Sequence, residues 1–103
     1  MGIGVDIVQI SRIHDNDVFA KGILSSREYD IYLTKPNKQE FLAGRFAAKE
    51  AFTKALEKGL NIPLKTIEVL YKENGVPYIE YNGKIINVSI AHDGDYAIAV
   101  VNL

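Results

Sequence analysis

The strongest constraint on the fold of this 103-residue chain is a change of hydrophobic period near Lys65. Beyond it, apolar and polar residues alternate, and three breakers (Asn74-Gly75, Asn82-Gly83 and Asp93-Gly94) cut the run into strands expected at residues 66–72, 77–81, 84–91 and 96–102. The first two breakers match tight hairpin turns, so the strands read as an antiparallel meander. Before Lys65 the pattern is helical. Residues 39–58 carry strong helix formers between the Lys35-Pro36-Asn37-Lys38 turn and Gly59, a C-terminal stop. Residues 16–33 hold two shorter helices, the second announced by Ser25-Ser26-Arg27-Glu28. At the front, residues 3–10 are rich in β-branched side chains and too short for an independent helix, which makes them a strand. A strand, a helical middle and a C-terminal antiparallel meander give an α+β domain over residues 1–103, because the helices cluster instead of alternating with single strands.

Composition narrows the partners. Twelve Lys and Arg against thirteen Asp and Glu leave a formal net charge of −1, without the electrostatic footprint of a general nucleic-acid binder. No cysteine is present, which excludes thiolate catalysis, disulfides and Cys-ligated metals and fits a cytoplasmic setting. The apolar opening MGIGVDIVQI contains Asp6 and is half the length of a membrane span, so no membrane partner is expected. A core this small would gain from apolar area buried between subunits.

Two carboxylates stand in unexpected places. Alternation along the first strand puts Gly4, Asp6, Val8 and Ile10 on one face and Ile3, Val5, Ile7 and Gln9 on the other, with both faces expected to be largely covered. Asp6 is then partly desolvated and needs a partner. Helix capping or pairing with Arg12 would supply a structural one, and a hard cation a functional one. On the long helix, Phe41, Ala48, Phe52 and Ala55 form a core stripe opposite Glu50. The Glu50 side nevertheless holds Ala43, Phe46 and Ala47, where a solvated face would carry more polar residues. Glu50 and Lys54, four apart, suit either an ordinary surface ion pair or a packed functional one. Asp6, Glu50 and Lys54 together suit Mg²⁺ completed by substrate phosphates, and equally a plain buried salt-bridge network.

Other motifs carry less. His92 precedes the Asp93-Gly94 turn, where it caps the turn, pairs with Asp93 or Asp95, or faces a ligand. His14 has no acidic or Cys/His cluster around it. Gly2-Ile3-Gly4 precedes a strand, whereas a dinucleotide loop follows one, and no serine has a supported base.

Three segments together resemble the holo-acyl-carrier-protein synthase family, the small class of phosphopantetheinyl transferases. They are Gly2-Ile3-Gly4-Val5-Asp6-Ile7, the helical run from Phe41-Leu42-Ala43-Gly44-Arg45-Phe46 through Ala47-Ala48-Lys49-Glu50-Ala51-Phe52-Thr53-Lys54-Ala55, and Val88-Ser89-Ile90-Ala91-His92-Asp93. The resemblance implies transfer of the phosphopantetheine arm of coenzyme A to a serine of acyl carrier protein, with Mg²⁺ as cofactor and adenosine 3′,5′-bisphosphate as the leaving product. It implies Asp6 and Glu50 as metal-site carboxylates and Lys54 beside the diphosphate. Glu50, directly or through a water it orients, would be the base and Lys54 the stabiliser of the leaving group. Arg45 and His92 match positions near the adenosine end of coenzyme A, Phe46 joins the coenzyme A contacts, and Arg12 matches a position facing the carrier protein.

The chain departs from the family pattern at Glu57, which replaces a glycine, at Ala91, which lacks a hydroxyl, and at Asn82-Gly83, where a helix is usually inserted. Val18 and Gly22 stand where carrier-gripping arginines are common, so docking leans on Arg12, Lys21 and Arg27. Arg45 precedes Glu50 by five residues, roughly 140° around a helix, so one pocket on one chain can hardly use both. Either Arg45 reaches the site of an adjacent subunit in a homotrimer with shared sites, or it is structural and snorkels at the edge of the core stripe. A non-catalytic module binding coenzyme A or a nucleotide on the same fold is the alternative to the enzyme.

Overall fold

The computed structural model describes residues 2–57 and 61–103. In chain order the elements are β1 (Ile3–Gln9), α1 (Asp17–Ile23), α2 (Ser26–Thr34), α3 (Lys38–Ala55), β2 (Glu68–Tyr71), β3 (Pro77–Tyr81), β4 (Lys84–Asp93) and β5 (Tyr96–Asn102). All five strands form one antiparallel sheet in the order β1-β5-β4-β3-β2, so the opening strand closes the far edge of the meander by pairing with the last. The expected α+β architecture holds. The stop expected at Lys58 and Gly59 lies outside the described residues.

Boundaries shift for local reasons. Leu64–Thr66 form a short 3-10 turn, which delays β2, and β4 runs on through His92 to Asp93. At Asn82-Gly83 both residues have positive φ (50° and 76°), the two-residue turn expected there. At Asn74-Gly75 only Gly75 does; its N–H bonds the Lys72 carbonyl while Lys72 N–H bonds Val76, which makes a three-residue loop instead of the tight turn. Each helix starts on a side-chain cap (Asn16, Ser25 and Asn37), and Ser25 with Glu28 completes a capping box.

Helix α3 lies across the inner face of the sheet. Ala47, Ala48, Ala51 and Phe52 pack on Val69, Ile79, Val88, Ala99 and Val101 in the main core. Small residues let the helix approach closely, and glycine lets β1 approach closer still. A Cβ on Gly4 would collide with the Ala51 carbonyl and one on Gly2 with that of Ala55. Gly2 and Gly4 therefore serve helix–strand contact.

One expectation about burial holds and is exceeded, and one is corrected. The anticipated core stripe is buried, but so is almost the whole circumference of α3, including Arg45 and Lys49. Helices α1 and α2 cover the side the sheet leaves open, which supplies the second core around Ala20, Ile23, Leu24, Tyr32 and Leu42. Conversely, the outer face of β1 is bare, with Ile3 71% and Ile7 63% exposed. Val5, Tyr96, Ile98 and Val100 join that face by register, because no element of the chain packs there.

Candidate active site

Two depressions flank α3, and they divide the singled-out residues between them. The first is a groove lined by Asp6, Ile7, Val8, Gln9, Arg12, Ile13, Phe46 and Glu50. The close approach of β1 to α3 places Asp6 over the last turns of the helix, where Lys54 Nζ donates to Asp6 Oδ1 at 3.0 Å and to the Val5 carbonyl at 3.1 Å. Asp6 thus pairs with Lys54 instead of Arg12. Lys54 stays 55% exposed at its side chain, so this is a weak pair energetically and free to rearrange.

Glu50 shares the groove without a cation on it. Burial, and after it the charge of Asp6, push the Glu50 carboxyl above the usual carboxylate range, while Lys54 acts in the opposite direction. Two carboxylates facing one groove, with Lys54 bonded to Asp6 and Arg12 at the rim, offer oxygen donors of the kind a hard divalent cation takes. No group of three or more His, Cys, Asp or Glu gathers among the described residues. Such a cation would therefore draw the rest of its ligands from substrate and water.

The second depression is a cavity of about 410 Å³ lined in part by Phe41, Gly44, Arg45, Tyr71, Ile90 and His92. His92 points inward from β4, opposite Gly44, where a Cβ would stand 3.1 Å from its Nε2; the missing side chain leaves room for the ring. Arg45 is only 3% exposed, so it does not snorkel at an edge. Its Cζ lies 4.3 Å from the centroid of Phe41 and 4.9 Å from that of Tyr71, and its Nε and Nη2 are buried without a hydrogen-bond partner. The nearest carboxylate, Glu28, is 3.6 Å from Nε. Unpaired buried guanidinium donors are costly, and the charge of Glu28 partly offsets them.

Glu28 and Lys49 carry a role that helical-wheel reasoning missed. Both are fully buried, with Lys49 Nζ donating to Glu28 Oε1 (2.6 Å) and to the carbonyls of Ile23 (2.6 Å) and Leu64 (3.0 Å). Glu28 Oε2 accepts from Val69 N–H at 3.0 Å. The network ties α1, α2, α3 and β2 directly behind the site. Its one sequence signal was Glu28 in the capping box, a local reason that hid the long-range one.

The other predicted positions separate. Arg27 bonds Glu68 (2.6 Å) and Glu80 (2.7 Å), and Lys21 lies over the Tyr29 ring. Arg12 has no ion-pair partner among the described residues and borders the groove. Asp95 accepts from Ser11, which leaves His92 to the cavity. Glu57, standing for a family glycine, takes φ 60°, a conformation that glycine adopts at lower cost.

A groove with two carboxylates and a cavity lined by Arg45 and His92 thus stand on different sides of one helix. The profile of the 4′-phosphopantetheinyl transferase superfamily matches residues 2–101, and the chain belongs to that family. Among curated relatives, the holo-[acyl-carrier-protein] synthase of Geobacillus sp. (strain WCH70) is 45% identical, with 98% of this chain and 93% of the relative covered. That of Bacillus subtilis (strain 168) is 42% identical over 97% and 92%. Among solved structures, the holo-(acyl-carrier-protein) synthase of Bacillus anthracis in complex with CoA (3′,5′-ADP) superposes with a TM-score of 0.88 at 36% identity, covering 97% of this chain and 92% of that one. The Helicobacter pylori holo-[acyl-carrier-protein] synthase in complex with coenzyme A gives 0.83 at 32% identity, with 96% of each covered.

Proposed function

We propose that the protein transfers the 4′-phosphopantetheine arm of coenzyme A to a serine of an apo-acyl carrier protein, as a holo-[acyl-carrier-protein] synthase. The observation that carries this reading is the convergence of Asp6 and Glu50 on one groove from two elements distant in sequence, with Lys54 bonded to Asp6. The serine oxygen attacks the phosphorus bearing the pantetheine arm, and the P–O bond to adenosine 3′,5′-bisphosphate breaks. In this reading Glu50, directly or through a water it orients, accepts the serine proton. Lys54, exposed beside Asp6, meets the charge that grows on the departing phosphate.

Asp6 and Glu50 are the residues that would hold Mg²⁺. Bound there, Mg²⁺ would neutralise charge on the diphosphate of coenzyme A. With two protein carboxylates and no third, affinity for the free ion is expected to be low.

The working unit in this reading is a homotrimer with shared sites. Arg45 and His92 line one depression and Glu50, Asp6 and Phe46 the other, so one chain offers two half-sites facing apart. Ile3, Val5, Ile7, Ile98 and Val100 make an uncovered apolar face on the sheet, and a second copy covering it is the simplest means of joining the halves. Arg12 at the groove rim is the cation left to meet an acidic carrier. No described helix is long and apolar enough to cross a membrane, and we place the reaction in the cytoplasm, in keeping with a cysteine-free chain.

Incubating apo-acyl carrier protein with coenzyme A, Mg²⁺ and this protein, then weighing the carrier by mass spectrometry, tests the transfer. A gain of one phosphopantetheine is expected. Coenzyme A binding without that gain would leave a non-catalytic module.

A further inference from the structure

Asp6 already carries a cation, and the chain itself supplies it. Lys54 Nζ donates to Asp6 Oδ1 at 3.0 Å and to the Val5 carbonyl at 3.1 Å, both on β1, an edge strand of the sheet. The two sides of this contact differ in freedom. Pairing with β5 along the whole of β1, and the glycine contacts that seat the strand on the Ala51 and Ala55 carbonyls, fix the backbone of Asp6 over α3. Lys54 is tied at its tip alone, with its side chain 55% exposed against 17% for Asp6. An exposed pair of this kind is held weakly, so Lys54 is the partner that yields. Arg12, the other cation on the groove, has no ion pair among the described residues and leaves Asp6 untouched.

We infer that Lys54 is an internal competitor for the divalent cation: seated on Asp6 it closes the metal position, and a phosphorylated ligand opens that position by drawing the ammonium onto its own oxygens. An ammonium and a divalent cation on one carboxylate repel each other. A free ion must therefore displace Lys54, and its apparent affinity falls in proportion to the fraction of protein in which Lys54 is away. A diphosphate gives Lys54 another set of anionic oxygens, so ligand and cation favour each other's binding, and this coupling is reciprocal. The metal position is thereby filled with the ligand instead of ahead of it.

The inference rests on the reading of Asp6 and Glu50 as the metal carboxylates, and the test separates the two. Binding of Mn²⁺, a hard divalent probe, is measured on the intact protein from the loss of its free-ion paramagnetic resonance signal, with and without saturating coenzyme A. Without coenzyme A, Lys54→Met is expected to bind Mn²⁺ about five- to tenfold more tightly than wild type, with Arg12→Gln within about twofold. Lys54→Arg, which keeps the charge, should bind no more tightly than wild type, and Lys54→Gln should follow Lys54→Met. With coenzyme A the gap between Lys54→Met and wild type should close. Folded neutral variants at position 54, confirmed by thermal melts, that bind free Mn²⁺ no more tightly than wild type would overturn the inference. An equal gain in Arg12→Gln, or a gap that coenzyme A leaves unchanged, would overturn it too, since the effect would then be one of overall charge. In any of these cases, weaker Mn²⁺ binding by Asp6→Asn and Glu50→Gln in the coenzyme A complex leaves the metal reading standing. If those two variants bind as wild type does, that reading falls as well.

Discussion

Lys54 reaches back across the chain to Asp6, with 3.0 Å between Nζ and Oδ1, and makes no ion pair with Glu50 four residues before it on the same helix. The ammonium therefore bonds one carboxylate of the groove and acts on the other only through its charge. The Asp6–Lys54 pair is half exposed, so its loss costs stability little, about 0–1 kcal/mol. Its expected weight is in turnover. Lys54→Ala should lower kcat about a hundredfold or more while changing coenzyme A affinity several-fold at most. Steady-state kinetics beside calorimetry give both numbers, and an affinity loss with unchanged kcat would make Lys54 a binding residue only.

Glu50→Gln keeps the shape of the groove and removes a charge. Wild-type protein with coenzyme A is expected to melt at a higher temperature once Mg²⁺ is added, because a ligand that binds only the folded state stabilises it by mass action. The variant should lose that Mg²⁺-dependent increment and retain the increment from coenzyme A alone. An unchanged Mg²⁺ response would remove Glu50 from the metal site.

Shared sites predict complementation. Arg45→Gln and Glu50→Gln, each inactive alone, should regain activity on subunit exchange, since some interfaces in a mixed trimer pair an intact Arg45 with an intact Glu50. Ile7→Asp, on the bare face of β1, should yield a monomer by light scattering and abolish transfer together with assembly. Hybrids that form and stay inactive, or an active monomer, would overturn the arrangement.

Lys49 should be intolerant for a reason unrelated to chemistry. Lys49→Met strands the fully buried Glu28 carboxylate and is expected to cost about 3–5 kcal/mol in urea unfolding. The double variant Glu28→Gln with Lys49→Met should recover part of that loss, because a neutral amide keeps the Val69 bond and removes the stranded carboxylate, while Arg45 loses the charge 3.6 Å from its Nε.

Glu68 sets part of the acid response. Its hydrogen bond from Arg27, and a further one from Ser25, hold its carboxyl below the ordinary value against the opposing effect of burial. A depressed carboxylate contributes stability above the unfolded value of 4.5 and loses it as pH falls through that value toward the folded one. Glu68→Gln should therefore flatten melting temperature against pH on the acid side. Arg27, held by two carboxylates, should contribute little to carrier docking: Arg27→Ala is expected to leave KM for the carrier within about twofold, and Arg12→Ala to raise it about fivefold or more.

The elements, their order and the separation of Arg45 from Glu50 around α3 were legible in the sequence because each follows from spacing. Two-residue alternation, helical period and turn residues act over a few positions, and the angle between two side chains on one helix is arithmetic. What only the tertiary structure decided depends on groups far apart in the chain. Lys49 and Lys54 are the same residue type on one helix, yet one is sealed against Glu28, Ile23 and Leu64 while the other, half exposed, bonds Asp6. The difference arises because α1 and α2 fold over one side of α3 and only the edge of β1 borders the other. The bare sheet face has the same origin: alternation marks Ile3, Val5 and Ile7 as apolar, but whether anything covers them depends on how many layers the chain can supply, and its helices all lie on the opposite side of the sheet.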